Sequence, residues 1–269
     1  MSKRIKGRMR REYLRLAKPF KTFSIGGSRL LLNCGNDSER WMALGLYEQD
    51  VVTAMEEVLE TGDTFVDVGA NIGFLSVLGR TLVGAEGHVV CFEPDPRNFS
   101  RLEENMALNA FDNVECEPVA LGDHQGTVDL QISSDGGWSS TSRGITSIKG
   151  WGERFTSSRA VRMETLDGYL AKHPLIHSIK LVKVDVEGGE LGVVRGAVRA
   201  LSSGVIEHLL VEHNPVTFEG AGYSGADLVG ALRALGFGEI QVCTPQGLRP
   251  IANPAADVFS NLIFSRPPR

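Results

Sequence analysis

The chain has 269 residues, 42% of them hydrophobic and 23% charged, with a net charge of −5. That is ample for a buried core in one large domain, and no apolar run of about 18 residues is present to span a bilayer. The four cysteines, Cys34, Cys91, Cys116 and Cys243, form no paired motif, which argues against a disulfide framework or a thiolate metal site and fits a reducing cytoplasm.

Charge is unevenly spread. Residues 1–21 carry nine Lys or Arg against one acid, Glu12, so this arm is near +8 and the remainder near −13. No apolar h-region follows, so a secretory signal is not supported. A solvated arm is the plain reading of such a run. A peripheral contact to nucleic acid, an anionic membrane surface or an acidic partner is the functional one. Residues 1–60 read as this arm plus a helical extension, with "ERWMALGLYEQDVVTAMEEVLETGD" helical and close to the first strand of the domain.

From residue 61 to 269 strands and helices alternate. "DTFVDVG" predicts a strand and "ANIGFLSVLGRTL" a helix, by its apolar spacing. "GHVVCFEP" predicts the next strand, and a helix should start near Asp95 with proline in its first turn. "NVECEPVAL" is a third strand. An insertion over about 122–163 begins with the β segment "GDHQGTVDLQIS" and continues as a Gly/Ser/Thr-rich stretch holding Trp138 and Trp151. The two tryptophans read as an acceptor platform or as anchors pinning a long loop; long irregular segments in compact domains are often functional lids, which favours the acceptor role. Alternation then resumes with "TLDGYLA" (helix), "IKLVKVDVEG" (strand), "GELGVVRGAVRALSSG" (helix), "IEHLLVEHNP" (strand), "SGADLVGALRALGFG" (helix), and final strands in "EIQVC" and "DVFSNLIFS". The pattern predicts an α/β domain with a doubly wound, mostly parallel, seven-stranded sheet.

Ligands of such sheets sit beyond the carboxyl ends of the strands. Gly69 and Gly73 fall there, and Glu93 ends the next strand, where a carboxylate can accept from a ribose diol. The spacing Asp67-x-Gly69-x-x-x-Gly73 departs from the G-x-G-x-x-G that cradles pyrophosphate. An acid at the strand end would repel a pyrophosphate and suits a ligand bearing an ammonium and a sulfonium. S-adenosylmethionine has both.

The segments "FVDVGANIGF", "VVCFEPDPRNFSRLEENMALN", "VECEPVALGD", "LVKVDVEGGELGVVRGA" and "HLLVEHNP" together resemble the successive motifs of the FkbM-type methyltransferases, over about residues 47–214. The resemblance implies a class I, Rossmann-like methyltransferase fold, S-adenosylmethionine as cofactor, and O-methylation of sugars or polyketide-type products of secondary metabolism. It places Asp67, Gly69, Asn71 and Gly73 around the methionine part of the cofactor and Glu93 at the ribose. Asp95, Ala120 and Asp123 fall near the adenine rim, and Glu48 at a position that closes over the cofactor. The family shows a short Ser-rich turn where this chain has its longer insertion.

Transfer of a methyl group to a hydroxyl needs alignment and a base in reach; a divalent ion that acidifies the hydroxyl is the alternative. Asp185 and Glu187, sharing strand parity, and Glu212 and His213 end two neighbouring predicted strands. Asp185 is the first candidate for the base, followed by Glu212 and His213. No metal set is read, because Gly188 and Gly189 turn the chain before a third ligand appears. Glu187 reads equally well as charge at a helix N-terminus, and Lys183 as a paired lysine. His173 and His177 are separated by Pro174, which argues for a loop over a ligand pair. The expected partner is a small hydroxylated acceptor. A nucleic-acid methyltransferase is disfavoured by the acidic body and the lack of an N-P-P-Y-type tetrad; a nucleoside-binding module without catalysis is the third reading.

Overall fold

The computed structural model describes residues 20–133, 139–148 and 155–267. Most of the basic arm, Trp138 and Trp151 lie outside the described residues.

The chain first makes an antiparallel hairpin, β1 (Phe20–Ile25) and β2 (Ser28–Asn33), then helices α1 (Asp37–Ala43) and α2 (Gln49–Val58). The sequence predicts only helix in this extension; the break between α1 and α2 carries Glu48 in a left-handed conformation, φ 41°. Then come β3 (Thr64–Val68), α3 (Phe74–Val83), β4 (His88–Phe92), α4 (Pro96–Ala107) and β5 (Val114–Glu117). Asp95 caps α4, accepting from the Arg97 amide at 3.0 Å with Pro96 at the first position, as the sequence predicts.

The third predicted strand splits. Its second half, β6 (Ala120–Leu121), joins β7 (Gly126–Ser133), β8 (Ser139–Ser140) and β9 (Phe155–Glu164) in a separate four-stranded sheet ordered β6-β9-β7-β8. The insertion is therefore a small sheet with its own apolar centre at Leu130, Ile132, Val161 and Met163.

The chain continues through α5 (Leu166–Lys172), β10 (Ile179–Val184), α6 (Glu190–Gly196), α7 (Val198–Ser203) and β11 (Ile206–His213). One long helix is predicted where α6 and α7 stand; the chain breaks at Ala197. A helix not predicted, α8 (Pro215–Ala221), precedes α9 (Gly225–Ala234), which carries a reciprocal Ser224–Asp227 capping box. The chain ends in β12 (Glu239–Val242), the two-residue β13 (Arg249–Pro250) and β14 (Ser260–Ser265).

The main sheet runs β13-β12-β14-β11-β10-β3-β4-β5. It has eight strands among the described residues instead of seven, the extra one being β13. The block β11-β10-β3-β4-β5 is parallel, and β14 lies antiparallel to both β11 and β12. The direction of winding reverses between β3 and β10, so the switch point of the sheet lies there.

Alternate residues of each strand feed two cores. Val66, Val68, Val182, Val184, Leu209 and Val211 pack under α5, α6 and α9. Phe65, Cys91, Leu181, Leu210 and Ile263 pack under α2, α3, α4 and β2. Strand residues alternate between faces, so Asp67, Lys183 and Glu212 share the second face, the one roofed by the N-terminal extension. Arg101 of α4 anchors that roof, with nitrogens 2.6 and 2.7 Å from the two Glu39 oxygens and a bond to the Leu31 carbonyl.

Candidate active site

At the carboxyl ends of β3, β4, β10 and β11 lies a cavity of about 640 Å³. The glycine turn forms its floor. Gly69 has φ 83°, and a Cβ there would lie 1.9 Å from the Asp185 carbonyl oxygen; only glycine lets the two strand ends come this close. Gly73, at φ 88°, does not line the cavity. A Cβ on it would strike Leu102 and Met106 of α4, at 2.6 and 2.8 Å, so it sets how tightly α4 packs on the turn.

Asp67 is fully buried. Its Oδ2 accepts from Ser76 Oγ at 2.6 Å, while Oδ1 has no hydrogen bond and faces Lys183 Nζ at 3.6 Å. Burial raises its pKa, with Lys183 and Ser76 opposing. Glu93 is also buried; Oε2 accepts from the Asn71 amide and Oε1 from the Asp95 amide, each at 2.8 Å. Burial pushes its pKa up to about 7 against those two bonds. Each Glu93 oxygen keeps a second lone pair, so the carboxylate can still receive two hydroxyls. Asn71, held at φ 52°, and Ala120 line the same space.

Asp95 and Asp123 do not line the cavity. Asp95 spends its oxygens on the α4 cap and on Arg97, at 2.8 Å. Asp123 lies in the exposed stretch after β6 and pairs with His124 at 2.7 Å.

The opposite wall is acidic. Asp185 follows β10 and keeps the ladder for one more bond, its amide donating to the Val68 carbonyl at 3.1 Å. Its Oδ2 lies 3.3 Å from Lys183 Nζ. Burial disfavours the lysine's charge, but Asp185, Asp67 and Glu48 outweigh it and raise the Lys183 pKa; Lys183 is the paired lysine its position in the strand predicts. Glu187 reaches the same wall through a turn at φ 52°, since β10 ends at Val184; strand parity is not what brings it beside Asp185. The helix-terminal role belongs to Glu190, whose carboxylate accepts from the Val186 and Gly188 amides and from Tyr223.

Glu212 faces the cavity from β11, and Asp185, Glu187 and Glu212 can each present an oxygen within 4.8 Å of the others'. Oε2 atoms of Glu187, Glu212 and Glu48 are shut from solvent without a hydrogen-bond partner. Burial and then Asp185 raise the pKa of both Glu187 and Glu212. Burial takes Glu48 up to about 7, opposed by Lys183. His213 does not join them. As the next residue along β11 it points to the other face, where its ring packs edge-on against Phe218 and Nδ1 meets the Val258 carbonyl at 3.2 Å. Burial lowers its pKa. His173 stacks on Tyr169 at 4.0 Å and His177 is exposed, so that spacing gathers no shared site.

Several lining residues carry no motif. Tyr47, edge-on to Phe74 at 5.4 Å, brings its ring in beside Glu48. Leu130, Ser139 and Thr141 come from the insertion, and Ser140 Oγ donates to the Glu187 carbonyl at 2.6 Å. Val216 and Phe259, 40% and 57% exposed, form an apolar lip beside Glu212. These meet only through tertiary packing; the signals in the sequence are the adjacency of Tyr47 to Glu48 and the insertion that carries Leu130, Ser139 and Thr141.

A parallel block with a reversed strand beside it, helices on both faces, and an acid–glycine turn and a second acid at the switch point make this a class I methyltransferase fold. The residues present fit S-adenosylmethionine: Asp67 offers an oxygen without a donor, Glu93 retains free lone pairs, and Gly69 keeps the floor bare. Residues 67–238 match the methyltransferase FkbM domain, and the chain belongs to that family. It is 31% identical over 169 residues to hexuronic acid methyltransferase AglP of Haloferax volcanii, covering 61% of this chain and 62% of that protein. It is 32% identical over 157 residues to 2-O-methyltransferase NoeI of Sinorhizobium fredii, covering 54% and 62%. The chain thus spans about three fifths of the length of these curated relatives. Among solved structures, the METTL16 methyltransferase domain aligns with TM-score 0.48 at 13% identity, covering 96% of this chain and 91% of that one. Among the described residues no helix is long and apolar enough to cross a membrane.

Proposed function

We propose that this protein is an S-adenosylmethionine-dependent O-methyltransferase whose acceptor is a hydroxyl of a sugar or a sugar-bearing small metabolite. The observation that carries the reading is the cavity's two-sided rim, with Asp67, Gly69, Asn71 and Glu93 on one side and Asp185 and Glu212 on the other. Two relatives named for hexuronic acid and 2-O-methylation support an oxygen acceptor. The apolar lip of Val216 and Phe259 suits one whose hydroxyl sits beside ring or chain carbons.

When bound, S-adenosylmethionine supplies an electrophilic methyl group on a positively charged sulfur. Glu93 holds the ribose hydroxyls and Asp67 offers negative charge toward the methionine part, with Gly69 leaving room for close approach. Asp185 or Glu212 would accept the proton that the acceptor hydroxyl must lose when it is methylated. Holding oxygen, carbon and sulfur in line supplies much of the rate. His213 takes no part, being turned from the cavity. Glu48 and Tyr47 cover the site from the N-terminal extension and keep water from it.

The test is transfer of labelled methyl from S-adenosylmethionine to a panel of hexuronides, deoxysugar glycosides and glycosylated polyketides, with RNA and DNA as further acceptors. Base-stable label on a sugar hydroxyl is expected. Label on nucleic acid alone would overturn the reading in favour of a nucleic-acid enzyme, and cofactor binding without turnover on cell extracts would favour a binding module.

A further inference from the structure

We propose that Asp185, Glu187 and Glu212 bind one hard divalent cation, magnesium or manganese, which holds the acceptor hydroxyl beside the methyl donor. This rests on the methyltransferase reading and adds a component to it.

The geometry comes first. Three carboxylates from two strand ends and the turn between β10 and α6 can each direct an oxygen to a common point, the three atoms lying within 4.8 Å of one another. A cation centred among them would lie no more than about 2.8 Å from each oxygen, and a small side-chain rotation brings the oxygens to the about 2.1 Å that magnesium requires. Among the described residues, Glu187 Oε2 and Glu212 Oε2 lack any hydrogen-bond donor although they are closed to solvent.

A second observation comes from a different element. Glu48, at the start of α2, lines the same cavity and has an Oε2 that is likewise closed to solvent and without a donor. Among the described residues, no cationic side chain lining the cavity forms an ion pair with Glu187 or Glu212. Lys183 lies between Asp67 and Asp185, Arg97 is held by Asp95, and Arg101 by Glu39. Buried carboxyl groups need a hydrogen-bond partner or a counter-charge, and this wall has more of them than its lysine can match.

The donor set selects the ion. It is all oxygen, with His213 facing away and no cysteine among the lining residues, and such sets suit magnesium or manganese over zinc or copper. Three protein oxygens leave coordination positions for the acceptor's hydroxyl, or for two neighbouring hydroxyls of a sugar. Coordination makes a hydroxyl more acidic, so its proton can pass to an oxygen of Asp185 or Glu212 that is not spent on the ion.

Manganese titration of the full chain, followed by the loss of the free-ion electron paramagnetic resonance signal, tests this. A single bound ion is expected, with affinity retained when the protein is saturated with S-adenosylhomocysteine. Glu187→Gln and Asp185→Asn should each weaken it by about tenfold or more, and Glu207→Gln, at the exposed far end of β11, should leave it unchanged. Calorimetry with S-adenosylhomocysteine on each variant reports that the fold and cofactor pocket survive. No manganese bound at millimolar concentration, equal binding by the variants, or displacement of the ion by S-adenosylhomocysteine would overturn the proposal, the last marking the cluster as the seat of the cofactor's ammonium. Failure of S-adenosylhomocysteine to bind the unmodified protein would instead strike the methyltransferase reading, whatever the manganese result.

Discussion

The two sides of the cavity differ in how far their polar atoms are satisfied. On the β3–β4 side, Glu93 accepts two backbone amides and Asp67 accepts Ser76 through one oxygen, its other oxygen having no hydrogen bond and facing the Lys183 ammonium. On the β10–β11 side, Glu187 and Glu212 each leave an oxygen without a donor. A rim already braced by its own backbone is suited to holding a ligand in one pose. A rim of crowded, unpartnered acids is suited to taking a proton or a cation during chemistry. The division of labour between grip and chemistry follows from where the hydrogen bonds go.

The contrast breaks most sharply at Glu212. Glu212→Gln keeps shape and removes the acid, so turnover should fall by about 10²–10⁴-fold. Normal turnover in a steady-state assay would remove Glu212 from the chemistry. Next in size is Gly69→Ala, which forces a Cβ against the Asp185 carbonyl at a positive φ. It should cost more than about 2 kcal/mol in denaturant unfolding, and a neutral result would mean the two strand ends are less tightly joined than described.

Stability should also depend on pH. Burial raises Glu93 and Glu190 to about 7 in the fold from an ordinary 4.5, so the native state keeps protons that the unfolded chain releases. Stability therefore falls as pH rises from about 4.5 through about 7. His208 and His213, lowered by burial from 6.5, act in the opposite sense only below about 6.5. The ligand-free melting temperature should accordingly be lower at about pH 8 than at about pH 6.5, and a rise would contradict the burial of these acids. The smallest effect belongs to Asp123→Ala: exposed and outside the cavity, it should change stability by no more than about 0.5 kcal/mol in denaturant unfolding and leave S-adenosylhomocysteine affinity unmoved in calorimetry.

The grip was more legible in the sequence than the chemistry. Asp67, Gly69 and Glu93 sit at strand ends whose apolar runs are contiguous, so alternation alone puts them at the switch point. Asp95 was placed at a helix start, and that is where its oxygens are used. The β10–β11 side depends on facts no local pattern carries. Glu212 and His213 are neighbours in sequence yet face opposite cores, and Glu187 arrives by a left-handed turn. The run of acids after β10 stops at Gly188 and Gly189, and the third acid of the cluster, Glu212, stands on the neighbouring strand. The insertion read as Gly/Ser-rich lid because its strands are short or polar; its ten-residue β9 exposes most of its first half, which hides the alternation that marks a strand.

The division of the rim is tested most directly by calorimetric titration of S-adenosylhomocysteine and NAD into the unmodified protein, Glu93→Gln and Glu212→Gln. S-adenosylhomocysteine should bind the unmodified protein and NAD should not. Glu93→Gln should weaken S-adenosylhomocysteine by about tenfold or more, the cost of one charge-assisted hydrogen bond, while Glu212→Gln shifts it by less than about threefold. Binding of NAD, or equal losses from the two variants, would contradict that division.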